Sequence, residues 1–152
     1  MSMRRLSPVA ARVARFHTSR RTAQQGDLMA GYVTNIEEDT IANEDFRRVL
    51  FTGPNTQLVL MTLRPGEDIG LETHEGHDQF IRIEAGHGYV QLDGKRTDIE
   101  DGSAFVIPAG VEHNVVNTSD DESLRLYTLY SPPEHPDGTV HHTKREADAS
   151  HG

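Results

Sequence analysis

The segment LETHEGHDQF, Leu71 to Phe80, places two histidines and three acids within ten residues of a chain that contains no cysteine. Imidazole and carboxylate are donors for a divalent ion. Without thiolates, a metal here has to be held by imidazole, carboxylate, amide oxygen or water. In extended chain, residues two apart share a face. Glu72 therefore points with His74, and Gln79 points with Ile81 and Ile83 on the segment that follows. Further along, His113 shares a face with Val115 and Asn117 in HNVVN. A closed sheet could bring Glu72, His74, Gln79 and His113 together inside an Ile- and Val-lined cavity, which is the setting a metal site needs. His77 stands off this pattern. It reads as a surface-loop histidine or as a proton shuttle beside the ion, because imidazole titrates in the useful range. Tyr89 and Tyr127 are further acid/base candidates, while His87, His135, His141 and His142 read as solvated.

The elements that must position these residues are short. From about Tyr32 the chain shows apolar runs separated by Gly, Pro, Asn and Asp, which is strand-and-turn punctuation. TQLVLMTL stops at RPGED, QFIRIEAG and HGYVQLDG each end in glycine, and LDGKR offers an Asp-Gly hairpin turn. SAFVIPAG, HNVVN and SLRLYTLY follow, the last ending at Pro132-Pro133. Turn signals recurring about every 8 to 12 residues predict an all-β barrel or sandwich. No helical period competes between residues 50 and 130.

On these residues the sequence resembles the cupin superfamily. Its second motif, G-x5-P-x-G-x2-H-x3-N, is met by Gly102, Pro108, Gly110, His113 and Asn117. Its first motif is met in spacing by Gly66, Glu72, His74, Gln79 and Gly86, with two changes: Glu72 replaces the family's first His, and Gln79 replaces its Glu. The resemblance covers roughly residues 55 to 130 and implies a double-stranded β-helix, the jelly-roll barrel of cupins. It is similar to the short barrels described as mannose-6-phosphate-isomerase-like. The implied ligand set is Glu72, His74, His113 and Gln79, the last either a direct ligand or a group that orients a bound water or substrate, for one divalent ion (Fe, Mn, Zn, Ni or Co). Two imidazoles and one carboxylate also match non-haem Fe(II) sites. The carboxylate has moved within the set rather than vanished. Asn117, Gly102, Gly110 and Pro108 read as structural, for turns and the bend before His113.

Fold alone does not choose a reaction. The expectation is a metal-dependent isomerase or lyase acting on a small sugar, uronate or keto acid. The alternatives are an Fe(II) dioxygenase and a non-enzymatic binding module. The 152 residues suit one domain, and the net charge of −9 argues against a nucleic-acid partner. No apolar run reaches the ~18 residues of a membrane span. The reading divides the chain into a basic segment 1–26, a barrel 27–133, and a polar tail 134–152 that is either a covering arm or loose. Residues 1–26 hold six arginines and no acid, with arginines on one helical side and Leu6, Val9, Val13 and Phe16 on the other. That pattern fits a mitochondrial transit peptide; the alternatives are a disordered basic extension and a start codon placed too early in a bacterial gene. The expected location is accordingly the mitochondrial matrix in a eukaryote and the cytoplasm in a bacterium. A homodimer is expected, with strands from residues 31–53 at its interface.

Overall fold

The computed structural model describes residues 30–150, so the basic segment 1–26 lies outside the described residues. A helix α1 (Ile36–Ala42) precedes nine strands: β1 (Arg47–Thr52), β2 (Gln57–Leu63), β3 (Asp78–Ala85), β4 (His87–Leu92), β5 (Lys95–Glu100), β6 (Ala104–Ile107), β7 (His113–Asn117), β8 (Leu124–Ser131) and β9 (Val140–His141). A second helix, α2 (Lys144–Ser150), closes the described chain. The strands form two antiparallel sheets, one ordered β6-β3-β8-β2-β1-β9 and the other β5-β4-β7. This is an all-β jelly-roll barrel.

Alternation decides what fills it. Val59, Met61 and Leu63 of β2 lie across from Thr128, Leu126 and Leu124 of β8, and Ile81 and Ile83 of β3 continue the same rows. These side chains, with Val115 and Val90, are buried. Each fully buried aliphatic side chain contributes about 1.5–3 kcal/mol relative to exposure. The site residues are held at one end of this apolar plug.

Two features fall outside the sequence expectations. Residues 36–42 form a helix rather than a strand, capped by the Asn35 side chain accepting from the Glu38 N–H at 3.1 Å, with Glu37, Glu38 and Asp39 in the first turn. Those acids complement the helix dipole. The one strand of the 31–53 segment is β1, and it pairs with β2 and β9 of its own chain. The segment after Pro133 is no loose tail. β9 adds to the edge of the six-stranded sheet, and Ala147 of α2 is buried in the core. Gln57, fully buried, clamps the start of this arm. Its Nε2 donates to the His135 carbonyl at 2.8 Å, and its Oε1 accepts from the Glu134 and His135 N–H groups at 3.1 and 3.0 Å.

Candidate metal centre

Gln57, Gln79 and Tyr130 share one register row across β2, β8 and β3, at the end of the barrel where β7 begins with His113. The stretch between β2 and β3 runs antiparallel to β7 without becoming a regular strand. Glu72 and His113 exchange backbone hydrogen bonds at 2.9 and 2.8 Å, and the Ile69 N–H donates to the Val115 carbonyl at 3.0 Å. His74 is pinned next, its carbonyl accepting from the Gly110 N–H at 2.8 Å. Gly110 has φ +89°, a turn conformation that favours glycine, so the motif glycine seats the backbone of the other motif's histidine.

These bonds bring the side chains of Glu72, His74 and His113 together, one donor atom from each lying within 4.8 Å of the others. His113 is buried, and its Nδ1 stands 2.9 Å from the Val111 carbonyl. That contact sets the tautomer and leaves Nε2 for the cavity. His74 Nε2 is buried and 3.3 Å from Glu72 Oε1, yet makes no aligned hydrogen bond. Donors around an ion with ~2.1 Å bonds are spaced about 3.0 Å at octahedral and about 3.4 Å at tetrahedral edges. The Glu72–His74 edge fits such a set.

Gln79, in the register row of Tyr130 on β3, is buried, with its Nε2 donating to Thr128 Oγ1 at 3.0 Å. That bond aims the amide, and Oε1 is left buried without a hydrogen-bond partner among the described residues. A buried acceptor left without a partner is what a site that takes a cation or a hydroxyl would contain.

Electrostatics follow from the crowding. Burial opposes the Glu72 charge, but the His74 contact and the nearby Arg47 and His113 charges outweigh it and hold the carboxyl below its usual value. The same contact with Glu72 raises His74, against burial and the Arg47 charge, with Glu134 adding to the rise. Burial pushes the Tyr130 phenol up, so it keeps its proton.

His77 lies within this end of the barrel. Its Nε2 is ion-paired with Glu134 Oε1, its ring is 5.4 Å from that of His74, and its Nδ1 is buried without a hydrogen-bond partner among the described residues. Glu134 Oε2 also stands 3.8 Å from His74 Nδ1, so the arm's carboxylate faces the far edge of the imidazole whose Nε2 belongs to the Glu72 set. His74, His77 and Glu134 form a second group of close donors, but there His77 and Glu134 are already spent on each other.

The tyrosines are placed otherwise than the sequence reading has them. Tyr89 alternates out of phase with the buried Gly88 and Val90, and lies under the Arg96 guanidinium at 4.3 Å. Tyr127 alternates out of phase with the buried Leu126 and Thr128, its ring near Phe80. The tyrosine at the site is Tyr130, T-shaped against His74 at 5.8 Å. His135 packs on Tyr130 at 5.2 Å rather than standing in solvent, and His141 is half-buried against Arg47. His87 and His142 are exposed. Asn117 is structural: its Nδ2 serves the Leu63, Arg64 and Glu122 carbonyls. Glu134 and Arg47 had no motif to mark them, and the parity of Tyr130 is concealed in the sequence by apolar residues on both faces of β8.

Two antiparallel sheets closed over an apolar plug, with imidazoles and a carboxylate converging at one end, define the cupin class. The chain belongs to that family: the cupin domain model matches residues 59–130. The Bacillus subtilis protein YrkC is 49% identical over 126 residues, spanning 78% of this chain and 67% of its own. The crystal structure of BH2720 from Bacillus halodurans matches with a TM-score of 0.75 at 48% identity, covering 78% of this chain and 93% of that one. An oxalate-binding protein of Thermotoga maritima is 32% identical over 62 residues, 41% of this chain and 51% of its own. No helix among the described residues is long and apolar enough to cross a membrane.

Proposed function

We propose that this chain is a metal-dependent enzyme that holds one divalent ion (Fe, Mn, Zn, Ni or Co) through Glu72, His74 and His113. Its substrate would be a small oxygen-rich molecule such as a sugar, uronate or keto acid, and the reaction an isomerisation or elimination. The observation that carries this reading is the convergence of the three donor atoms within 4.8 Å. A bound ion would supply Lewis acidity that polarises a carbonyl or acidifies water.

The protein's own groups divide the remaining work. Glu72 gives the single anionic donor, and the Val111 carbonyl presents His113 through Nε2. Gln79 Oε1 either completes the donor set or accepts a hydrogen bond from a substrate hydroxyl. His77 carries the proton: Glu134 engages Nε2, which leaves Nδ1 as the nitrogen that takes and returns it. Tyr130 acts as a donor, its proton retained by burial. The oxalate-binding relative supports a substrate that chelates through two oxygens.

Elemental analysis of untagged protein tests the reading. About one divalent ion per chain is expected, with loss in His74→Ala and His113→Ala. Unchanged metal content in both variants would overturn the site. The two-His-one-carboxylate set also favours a second reading, an Fe(II) oxygenase, which aerobic turnover consuming O2 would select. Metal binding with no turnover across sugar acids and keto acids would select the binding module. A homodimer is supported by the apolar outer row Leu58, Leu129, Phe80 and Val106, the last 59% exposed, and light scattering checks it. The bacterial relative supports a cytoplasmic location.

A further inference from the structure

Glu134 is the acid that the C-terminal arm brings to this end of the barrel, and each of its two oxygens faces a different imidazole. Oε1 is paired with His77 Nε2, and Oε2 stands 3.8 Å from His74 Nδ1. The two rings are 5.4 Å apart with their planes crossing at 62°, so one carboxylate reaches both. The Glu134 side chain is mostly buried, and no lysine or arginine of the described residues lies within ion-pair distance of it. A carboxylate withdrawn from water is costly unless N–H groups meet it, and here the imidazoles are those groups.

The backbone beneath this acid is held as well. Pro132 and Pro133 restrict the chain that leads to it, and the Glu134 N–H donates to Oε1 of the fully buried Gln57 at 3.1 Å. His135 packs its ring on Tyr130 at 5.2 Å, and Tyr130 meets the His74 ring edge-on at 5.8 Å. The start of the arm is therefore seated against the same imidazole that its acid faces. His74 and His113 differ in what lies behind them. Behind His113 Nδ1 is the Val111 carbonyl at 2.9 Å, from the same stretch of chain. Behind His74 Nδ1 is a group from the arm that follows β8. An imidazole that ligates through Nε2 carries its proton on Nδ1, and a carboxylate opposite that proton fixes the ring and raises its basicity.

We infer that Glu134 is a positioning residue that holds the rings of His74 and His77 for metal binding, so that the C-terminal arm is a working part of the metal centre. This rests on the reading of Glu72, His74 and His113 as the metal donors. The Glu134 charge acts on the His74 N–H across 3.8 Å, and more strongly once coordination has made the ring more positive. The coupling has to run both ways, because a contact that favours the metal-bound ring is itself favoured by the metal. An arm that helps to hold the ion is held by it in turn.

The test uses the full chain with cobalt(II), its affinity measured by competition with a chelator and its surroundings by visible absorption. Glu134→Gln keeps the size of the side chain and removes the charge. Cobalt affinity should fall about 10- to 100-fold, with a shift of the absorption bands. Glu75→Gln removes the same charge from an exposed position next to His74 in the chain and should leave both readouts unchanged. In the parent, cobalt should slow hydrogen exchange at the Glu134 and His135 amides, both bonded to Gln57, and Glu134→Gln should lose that protection. Equal cobalt affinity in the parent and Glu134→Gln overturns the proposal and leaves the metal site standing; a parent that takes up no cobalt overturns both. An equal loss of affinity in Glu75→Gln, or parental exchange that cobalt leaves unchanged, also overturns it. The metal-free melting temperature of Glu134→Gln should stay within about 5 °C of the parent, and a larger fall would make Glu134 a fold contact rather than a positioning residue.

Discussion

Asn117 is the residue whose replacement best separates scaffold from site. It is 1% exposed, and its Nδ2 stands 3.0, 3.1 and 2.9 Å from the Leu63, Arg64 and Glu122 carbonyls, while Oδ1 accepts from the Ser119 N–H at 2.9 Å. One amide thus joins the end of β2 to the turn between β7 and β8. Asn117→Ala leaves four backbone groups without their partner. Leu63 and Ser119 are buried, so each orphaned group there costs about 2 kcal/mol; Arg64 and Glu122 are exposed, water replaces the amide, and each costs under about 1 kcal/mol. The sum is about 4–5 kcal/mol, or roughly 15 °C in melting temperature for a domain of this size. Asn117→Asp removes both donors and faces three carbonyls with a carboxylate, so at neutral pH it should be at least as damaging. Lowering the pH should recover part of the loss, because a protonated carboxyl regains one donor. The assays are urea unfolding and thermal melts, with metal content measured on the folded fraction. A melting temperature within about 3 °C of the parent for Asn117→Ala would refute the hydrogen-bond accounting. Metal loss at unchanged stability would move Asn117 into the site.

Gly86 has φ +92°, and a Cβ there would meet the Ser123 carbonyl oxygen at 2.5 Å, so Gly86→Ala should cost about 3 kcal/mol from left-handed strain and backbone displacement together; a melt unchanged by the substitution would contradict the close approach. Thr128→Val keeps the shape but removes the acceptor that aims Gln79, and should lower turnover or ligand affinity about tenfold while costing about 1–2 kcal/mol of stability, read by calorimetry and unfolding. Glu72→His should still bind metal, because it restores the usual cupin set; metal loss would mean that position 72 does not face the ion. The exposed His142–Asp45 pair, at 2.7 Å, should make docking of the C-terminal arm depend on pH. His142 is raised above 6.5 by its bond to Asp45, so its contribution is full below about pH 6.5 and is lost as pH rises through the folded value. Asp45 is lowered below 3.8, burial being outweighed by its bonds to His142 and Arg48, so its contribution is lost only as pH falls through that lower value. Hydrogen exchange over β9 and α2 should therefore be slowest from about pH 4 to about pH 6 once corrected for intrinsic rates, and His142→Gln should flatten the profile.

The barrel and the candidate metal donors are legible in the chain before folding. Period-two alternation locates β2, β3, β4, β7 and β8 within a residue or two, because an inward apolar row must recur wherever one face is buried. Fixed spacing joins Gly66 to Gly86 and Gly102 to Asn117, so that Glu72, His74, Gln79 and His113 are marked before any fold is drawn. Asn35 with Glu38 three residues on was a legible start signal for α1, outweighed by the strand pattern around it. What needed tertiary structure is of another kind. Tyr130 rather than Tyr127 faces the site because pairing of β8 with both β2 and β3 fixes its parity, and apolar residues on both faces of that strand conceal it locally. Glu134 and His135 arrive from a polar arm with no periodicity, brought in by the Gln57 amide from 77 and 78 residues away. Arg47 is an arginine beside another arginine in the sequence. Only the closure of β1 between β2 and β9 turns one of them into the barrel and leaves the other in water, since a charge becomes informative when long-range packing strips its solvent away.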